Sequence, residues 1–236
     1  MIRKAVILAA GRGTRMEGLT EDRPKPMIEV GGKPLLEHIL DRLRAAGFSD
    51  ALVVTGYKAE MIENHFAGYP MRIEFRRQQE VNGTARASLL AREFIAGDSF
   101  LLTYGDVLIT EADYRAMVTR VEGDHQAVGG LAVKWVDDPW QGAAVYEEDG
   151  RVARIIEKPV PGTSATHWNS AGCYIFPSAI FDEFARVPLS ARGEYELTSG
   201  VAQLVESGAR LLLCPLEGGW RDVGRPGDLE AAQRLV

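Results

Sequence analysis

The sequence predicts the α/β class, with helices on both faces of a mixed, mainly parallel sheet. Three observations carry this. Short apolar runs alternate with segments of helical periodicity, and the first run empties directly into a glycine-rich turn. No internal repeat, low-complexity stretch or linker interrupts the 236 residues, so residues 1–236 are expected to form a single domain.

The elements follow in order. Residues 4–10 are apolar enough for a strand buried on both faces. Residues 35–46 place Leu35, Leu36, Ile39, Leu40 and Leu43 on one helical face, and Gly47 stops the helix. Strands are expected at 51–55, 72–75, 99–104 and 127–134, and helices at 58–66, 85–94 and 111–121, the last opening after Thr110 as N-cap. After Asp137 the pattern changes: 143–146 and 151–157, joined by Glu148-Asp149-Gly150, read as a β-hairpin. Strands at 171–176 and 210–215 follow, with helices at 179–184, 198–206 and 228–235. The whole is a Rossmann-like three-layer α/β/α order.

The turn after the first strand reads Leu8-Ala9-Ala10-Gly11-Arg12-Gly13-Thr14-Arg15-Met16, with Pro24-Lys25-Pro26 a short loop later. Two glycines let the backbone approach a bound group and aim N–H groups at phosphate oxygens. Arg15 adds a planar fork and Lys25 a point charge, which together make a triphosphate cradle. It is not a dinucleotide fingerprint, because Met16 stands where the third glycine belongs, and no Gly-Lys-Ser/Thr follows to make a P-loop.

Charge and composition narrow the partners. The net charge is −6, from 27 basic and 33 acidic residues, with no basic block, so no nucleic acid partner is expected. An acidic chain that binds polyphosphate must concentrate positive charge locally, here through Arg12, Arg15, Arg23 and Lys25. Cys173 and Cys214 lie far apart in apolar runs and read as buried thiols, and the four histidines share no metal spacing. No apolar run is long enough to span a bilayer and the N-terminus lacks a signal pattern, so a cytoplasmic protein without membrane partner is expected. A homo-oligomer is left open.

The Gly-rich turn with Pro24-Lys25-Pro26 resembles the signature of the sugar-1-phosphate nucleotidyltransferases, or NDP-sugar pyrophosphorylases. The resemblance continues through Gln78, Gly83-Thr84, Gly105-Asp106, Glu157-Lys158-Pro159, Asn169 and Trp220-Arg221-Asp222-Val223-Gly224, in the family's order. It implies the nucleotide-diphospho-sugar transferase fold, with residues 1–110 mainly binding nucleotide and 111–236 mainly binding sugar phosphate. Many relatives carry a C-terminal left-handed β-helix; no hexapeptide repeat follows here, so no acetyltransferase activity is expected.

The implied reaction is attack of a sugar-1-phosphate oxygen on the α-phosphorus of an NTP, with pyrophosphate leaving in line and Mg²⁺ as the cofactor. Asp106, at a strand's carboxyl end, and Asp222 are the candidate metal ligands; read alone, one is a cap and the other a turn carboxylate. Arg15 and Lys25 would hold the nucleotide phosphates, and Lys158 the sugar phosphate, with Pro159 holding that segment extended. Leu8, Ala10, Gly11, Gly13 and Thr14 would line the nucleotide. Gln78 with Gly83 and Thr84 would read the base, Gln79 being the adjacent alternative. Glu157 and Asn169 would bond sugar hydroxyls, and Gly142 would face the sugar unless it is a turn glycine. The Gln78-to-Gly83 spacing resembles that of uridylyl-transferring relatives, which implies UTP, then dTTP. A cytidylyl or guanylyl transferase using another phosphorylated acceptor, and a non-catalytic nucleotide-sugar-binding regulator, are the alternatives. The missing third glycine argues against a dehydrogenase.

Overall fold

The computed structural model describes residues 1–236. Its strands are β1 (Lys4–Ala9), β2 (Glu29–Val30), β3 (Lys33–Pro34), β4 (Asp50–Thr55), β5 (Arg72–Arg77), β6 (Phe100–Tyr104), β7 (Val107–Ile109), β8 (Gly129–Trp135), β9 (Ala143–Glu148), β10 (Arg151–Glu157), β11 (Trp168–Phe176), β12 (Leu211–Pro215) and β13 (Trp220–Asp222). The helices are α1 (Leu35–Ala45), α2 (Ala59–His65), α3 (Thr84–Leu89), α4 (Arg92–Ile95), α5 (Glu111–Gly123), α6 (Ile180–Arg186), α7 (Leu197–Glu206) and α8 (Asp228–Gln233).

Nine strands form one sheet in the order β5-β4-β1-β6-β11-β8-β12-β10-β9. Pairing is parallel from β5 through β6 and again between β12 and β8. The β11 and β10 ladders to the other strands are antiparallel. Both faces are covered. Along β1, Ala5, Ile7 and Ala9 join a core under α1, α2, α5 and α8, while Val6 and Leu8 join a second core under α3, α4, α6 and α7. Helices on both sides explain the unbroken apolar run. The chain leaves β1 toward β4 and β5, then returns to β6 on β1's other side. That reversal opens a crevice at the carboxyl ends of β1 and β6.

Local signals set the helix ends. Gly47, at φ 100, follows α1; its N–H donates to Arg44 O and that of Phe48 to Leu43 O, a Schellman closure that only a residue at ease with positive φ makes without strain. Thr110 caps α5, its Oγ1 accepting from Asp113 N at 3.2 Å.

The structure departs from expectation in several places. The helix expected at 85–94 is two helices, α3 and α4. Ser88 Oγ bonds back to Thr84 O at 2.8 Å, and Leu90 and Ala91 turn with tighter bonds to Ala87 and Ser88 carbonyls. β11 begins at Trp168 rather than residue 171, and so takes in Asn169. The Asp222 segment is a strand, paired antiparallel with β7, where a turn was expected. Short 3₁₀ turns at Thr14–Thr20 and Lys25–Met27, and the β2–β3 hairpin, carry the loop that the sequence reading left without structure. No helix is long and apolar enough to cross a membrane.

Candidate active site

The crevice is the mouth of a cleft of about 860 Å³, walled on the far side by β9, β10 and β11. Most of the residues singled out from the sequence line it: Leu8, Ala10, Gly11, Gly13, Thr14, Arg15, Lys25, Gln78, Gly83, Thr84, Asp106, Gly142, Glu157, Lys158, Asn169 and Asp222. Gln79 does not.

The loop after β1 exposes backbone. The N–H groups of Gly11, Arg12, Gly13 and Thr14 donate to no protein acceptor, and a Cβ at Gly11 would meet nothing within 4 Å. Gly13 has φ 69, and a Cβ there would lie 2.9 Å from Lys25 Cβ, so only glycine lets the loop fold against the Lys25 turn. Free N–H groups beside cationic side chains suit an anion. The positive charge is more focused than expected. Arg15 and Lys25 reach the cleft, whereas Arg12 lies over the Tyr57 ring at 5.1 Å and Arg23 pairs with Asp22.

Lys25 is buried and forms an ion pair with Asp106, in the turn between β6 and β7. The β7–β13 ladder sets Asp222 against Val107, and Val223 N donates to Asp106 O at 3.0 Å. Strand register therefore brings the two carboxylates to one wall. Asp222 leaves part of its surface to solvent, but the cleft crowds its carboxyl. Burial, and then the charge of Asp106, push it up to about 6, against the pull of Lys25 and Arg15.

On the far wall, Asn169 donates from Nδ2 to Ser170 O at 2.8 Å, while its buried Oδ1 has no partner. A Cβ on Gly142 would collide with that oxygen, so glycine makes room for the amide. Lys158 is not extended, as Pro159 was expected to make it. Its φ is 42, while its N–H donates to Gly142 O at 2.8 Å in register with the β9–β10 ladder. Glu157 accepts from Arg192 at 3.2 Å and Thr198 at 3.0 Å; burial nonetheless raises its carboxyl above the ordinary value.

Gln78 is held by its N–H on Thr55 O at 2.8 Å, and its Nε2 donates weakly to Gly83 O at 3.4 Å. Gly83 has φ 133 and packs on the Tyr195 backbone, leaving no space for a Cβ. Thr84 Oγ1 accepts from Leu197 N at 2.9 Å. This junction stitches the start of α3 to the segment before α7.

Sequence reading missed Arg192, Glu196, Thr198, Arg221 and Arg225, all in the cleft wall. Arg192 joins Glu157 to Glu196. The dense charges around residues 192–196 were the available signal. Trp140 and Trp220 line the cleft; Trp135 does not, and stacks on His167 at 4.6 Å. No histidine lines it, and His65 and His167 bond Glu37 and the Val136 carbonyl instead.

Comparison with known proteins supplies the family. The family model described as nucleotidyl transferase matches residues 4–236. The chain is 38% identical to the UTP–glucose-1-phosphate uridylyltransferase AglF of Haloferax volcanii, over 98% of this chain and 96% of that protein. It is 33% identical to the low-salt glycan biosynthesis nucleotidyltransferase Agl11 of the same organism, spanning 99% of this chain but 66% of that one. A UDP-glucose pyrophosphorylase solved with UDP-glucose superimposes with a TM-score of 0.90, covering 99% of this chain and 98% of that one; at 21% identity it shows the shared fold. The chain belongs to the nucleotidyl transferase family, among the sugar-1-phosphate nucleotidyltransferases, and is an enzyme of nucleotidyl transfer.

Proposed function

We propose that this enzyme transfers a nucleotidyl group from an NTP, UTP first and dTTP next, to a sugar 1-phosphate, releasing pyrophosphate. The observation that carries the reading is one cleft with unbonded N–H groups and cations at one end, and an unpartnered amide oxygen at the other. The two carboxylates line the same cleft. The uridylyltransferase relative of nearly equal length supports UTP.

The roles follow from position. The free N–H groups of Gly11 to Thr14 and the Arg15 guanidinium bind the nucleotide phosphates, and Leu8 and Ala10 line their approach. Lys25 neutralises Asp106 and stands beside the α-phosphate. Gln78, buried at the end of β5, reads the base edge with Gly83 and Thr84. Lys158 carries no carboxylate partner and holds the acceptor phosphate; Asn169 Oδ1 accepts from a sugar hydroxyl over Gly142, and Glu157 from another. Attack on phosphorus accumulates negative charge, so positioning and charge neutralisation supply the catalysis.

Asp106 and Asp222 fit Mg²⁺. Asp106 pairs with the Lys25 ammonium, Asp222 lies near enough to feel both charges, and no group of three or more His, Cys, Asp or Glu forms a dedicated cage. These two residues would hold the ion, which when bound adds neutralisation of phosphate charge.

Pyrophosphate release should be measured with Mg²⁺ across several NTPs crossed with a panel of sugar 1-phosphates. Turnover on one pair, lost in Asp106→Ala, supports the reading. Silence across the panel with nucleotide still bound would overturn the sugar acceptor.

A further inference from the structure

β11 carries a bulge at the centre of the cleft wall. Its register with β8 breaks between Ser170 and Tyr174, and pairing with β6 starts only at Cys173. Ala171 and Gly172 therefore fall outside both ladders. Gly172 has φ 73, and a Cβ there would lie 2.8 Å from the Tyr104 ring. Both carbonyls are taken by side chains instead. Thr103 Oγ1 donates to Gly172 O at 3.3 Å, and Trp220 Nε1 donates to Ala171 O at 2.9 Å.

Trp220 lies two residues before Asp222 on β13, and Ala171 lies two residues after Asn169 on β11, so the indole links two functional strands. The start of β13 is held elsewhere: Asp113 accepts from Glu217 N and Gly218 N, and Lys134 donates to Leu216 O and Gly218 O. Those bonds anchor the preceding loop to α5 and β8. The Trp220 bond alone among the side-chain hydrogen bonds runs from β13 to β11.

We propose that Trp220 is a positioning residue: its N–H bond to the β11 bulge couples the acceptor-binding strand to the Asp222 carboxylate. The inference rests on the roles given above to Asn169 and Asp222. A sugar phosphate seated on Asn169 thereby steadies the carboxylate, and loss of the bond frees it while leaving both substrates their contacts.

Trp220→Phe keeps the aromatic bulk and removes the donor. It should lower kcat about ten- to a hundredfold, as small misplacements near reacting atoms do, and raise the Mg²⁺ concentration for half-maximal rate. KM for NTP and sugar phosphate should stay within about twofold. A rise confined to the sugar-phosphate KM would make Trp220 a mere wall of the site, and a lower Tm with unchanged kinetics would make it structural; either overturns the proposal. A second measurement needs no turnover. In ¹⁵N-labelled protein the indole resonance lost in Trp220→Phe should exchange with solvent more slowly than that of exposed Trp135, and shift when sugar 1-phosphate is added alone. Exchange as fast as Trp135 overturns the tether. Wild-type silence on the whole substrate panel overturns the reaction instead, and the indole exchange then decides the tether.

Discussion

The two ends of the cleft are built from different material. At the phosphate end, one continuous loop presents backbone N–H groups that bond nothing else, with Gly11 open to solvent and Gly13 in the left-handed region. At the acceptor end, side chains from β10, β11, α7 and the segment before it make the bonds: Arg192 to Glu157 and Glu196, Thr198 to Glu157, and Asn169 to the Ser170 carbonyl. A polyanion common to many substrates can be held by backbone, which any sequence supplies where glycine permits the turn. A particular acceptor must be recognised by placed polar side chains, and these need neighbours to hold them.

The strongest way to break the comparison is to strike what both ends share. Asp106→Ala and Asp222→Ala should each lower turnover by about 10²–10³-fold in steady-state assays with Mg²⁺, whichever NTP is used. If either retained near wild-type rate, the two carboxylates would not form a common centre.

A pair of glycine substitutions sharpens it. Gly13→Ala adds a Cβ against Lys25 at a positive φ, and should cost about 1–3 kcal/mol, read as a higher KM for NTP. Gly142→Ala drives a Cβ into Asn169 Oδ1, and should raise the sugar-phosphate KM while leaving that for NTP alone. Both variants shifting the same constant would dissolve the distinction between the ends. A smaller effect is expected from Arg192→Gln, which leaves Glu157 facing Glu196 without their common cation. Its sugar-phosphate KM should rise several-fold, about 1 kcal/mol, with NTP binding measured by calorimetry unchanged.

Acidity supplies the gentlest test. Asp222 must be ionised to bind a cation, and without metal its carboxyl is raised to about 6, so turnover at limiting Mg²⁺ should decline as pH falls through that value, and saturating Mg²⁺ should move the decline to lower pH. Stability runs the other way at this residue. A carboxyl raised in the folded state penalises folding when ionised, so the penalty is present above about pH 6 and is relieved on acidification. Asp222→Asn should therefore melt higher than wild type at about pH 8 and lose that margin by about pH 4, measured without metal. An equal margin at both values would show that Asp222 is not raised.

Much of the scaffold was legible because its signals are local. The Schellman closure at Gly47 and the Thr110 cap follow from residues adjacent to the helix ends, and α1 from five apolar residues on one face. Signals failed where a neighbour outside the window intervened. Nothing in Glu157-Lys158-Pro159 reveals that Lys158 will take a positive φ where its N–H meets Gly142 O, and strands as short as β7 and β13 carry no period to read. The break between α3 and α4 did have a local cause, the back-bond of Ser88, but its outcome depended on a competition between acceptors.

From the sequence alone came the layered α/β class, the glycine-rich anion loop and the identity of the residues that line the cleft. The first two rest on chemistry confined to a few consecutive residues, namely side-chain periodicity, glycine's access to positive φ and charge beside a turn, whereas the cleft residues beyond that loop were named through the family resemblance. Tertiary structure decided which carboxylates face each other, that Gln78 rather than Gln79 enters the cleft, that Arg192 belongs to it, and that Trp220 reaches the β11 bulge. Those depend on strand register and on buried carbonyls finding donors from distant segments, which only the folded chain brings within hydrogen-bonding reach.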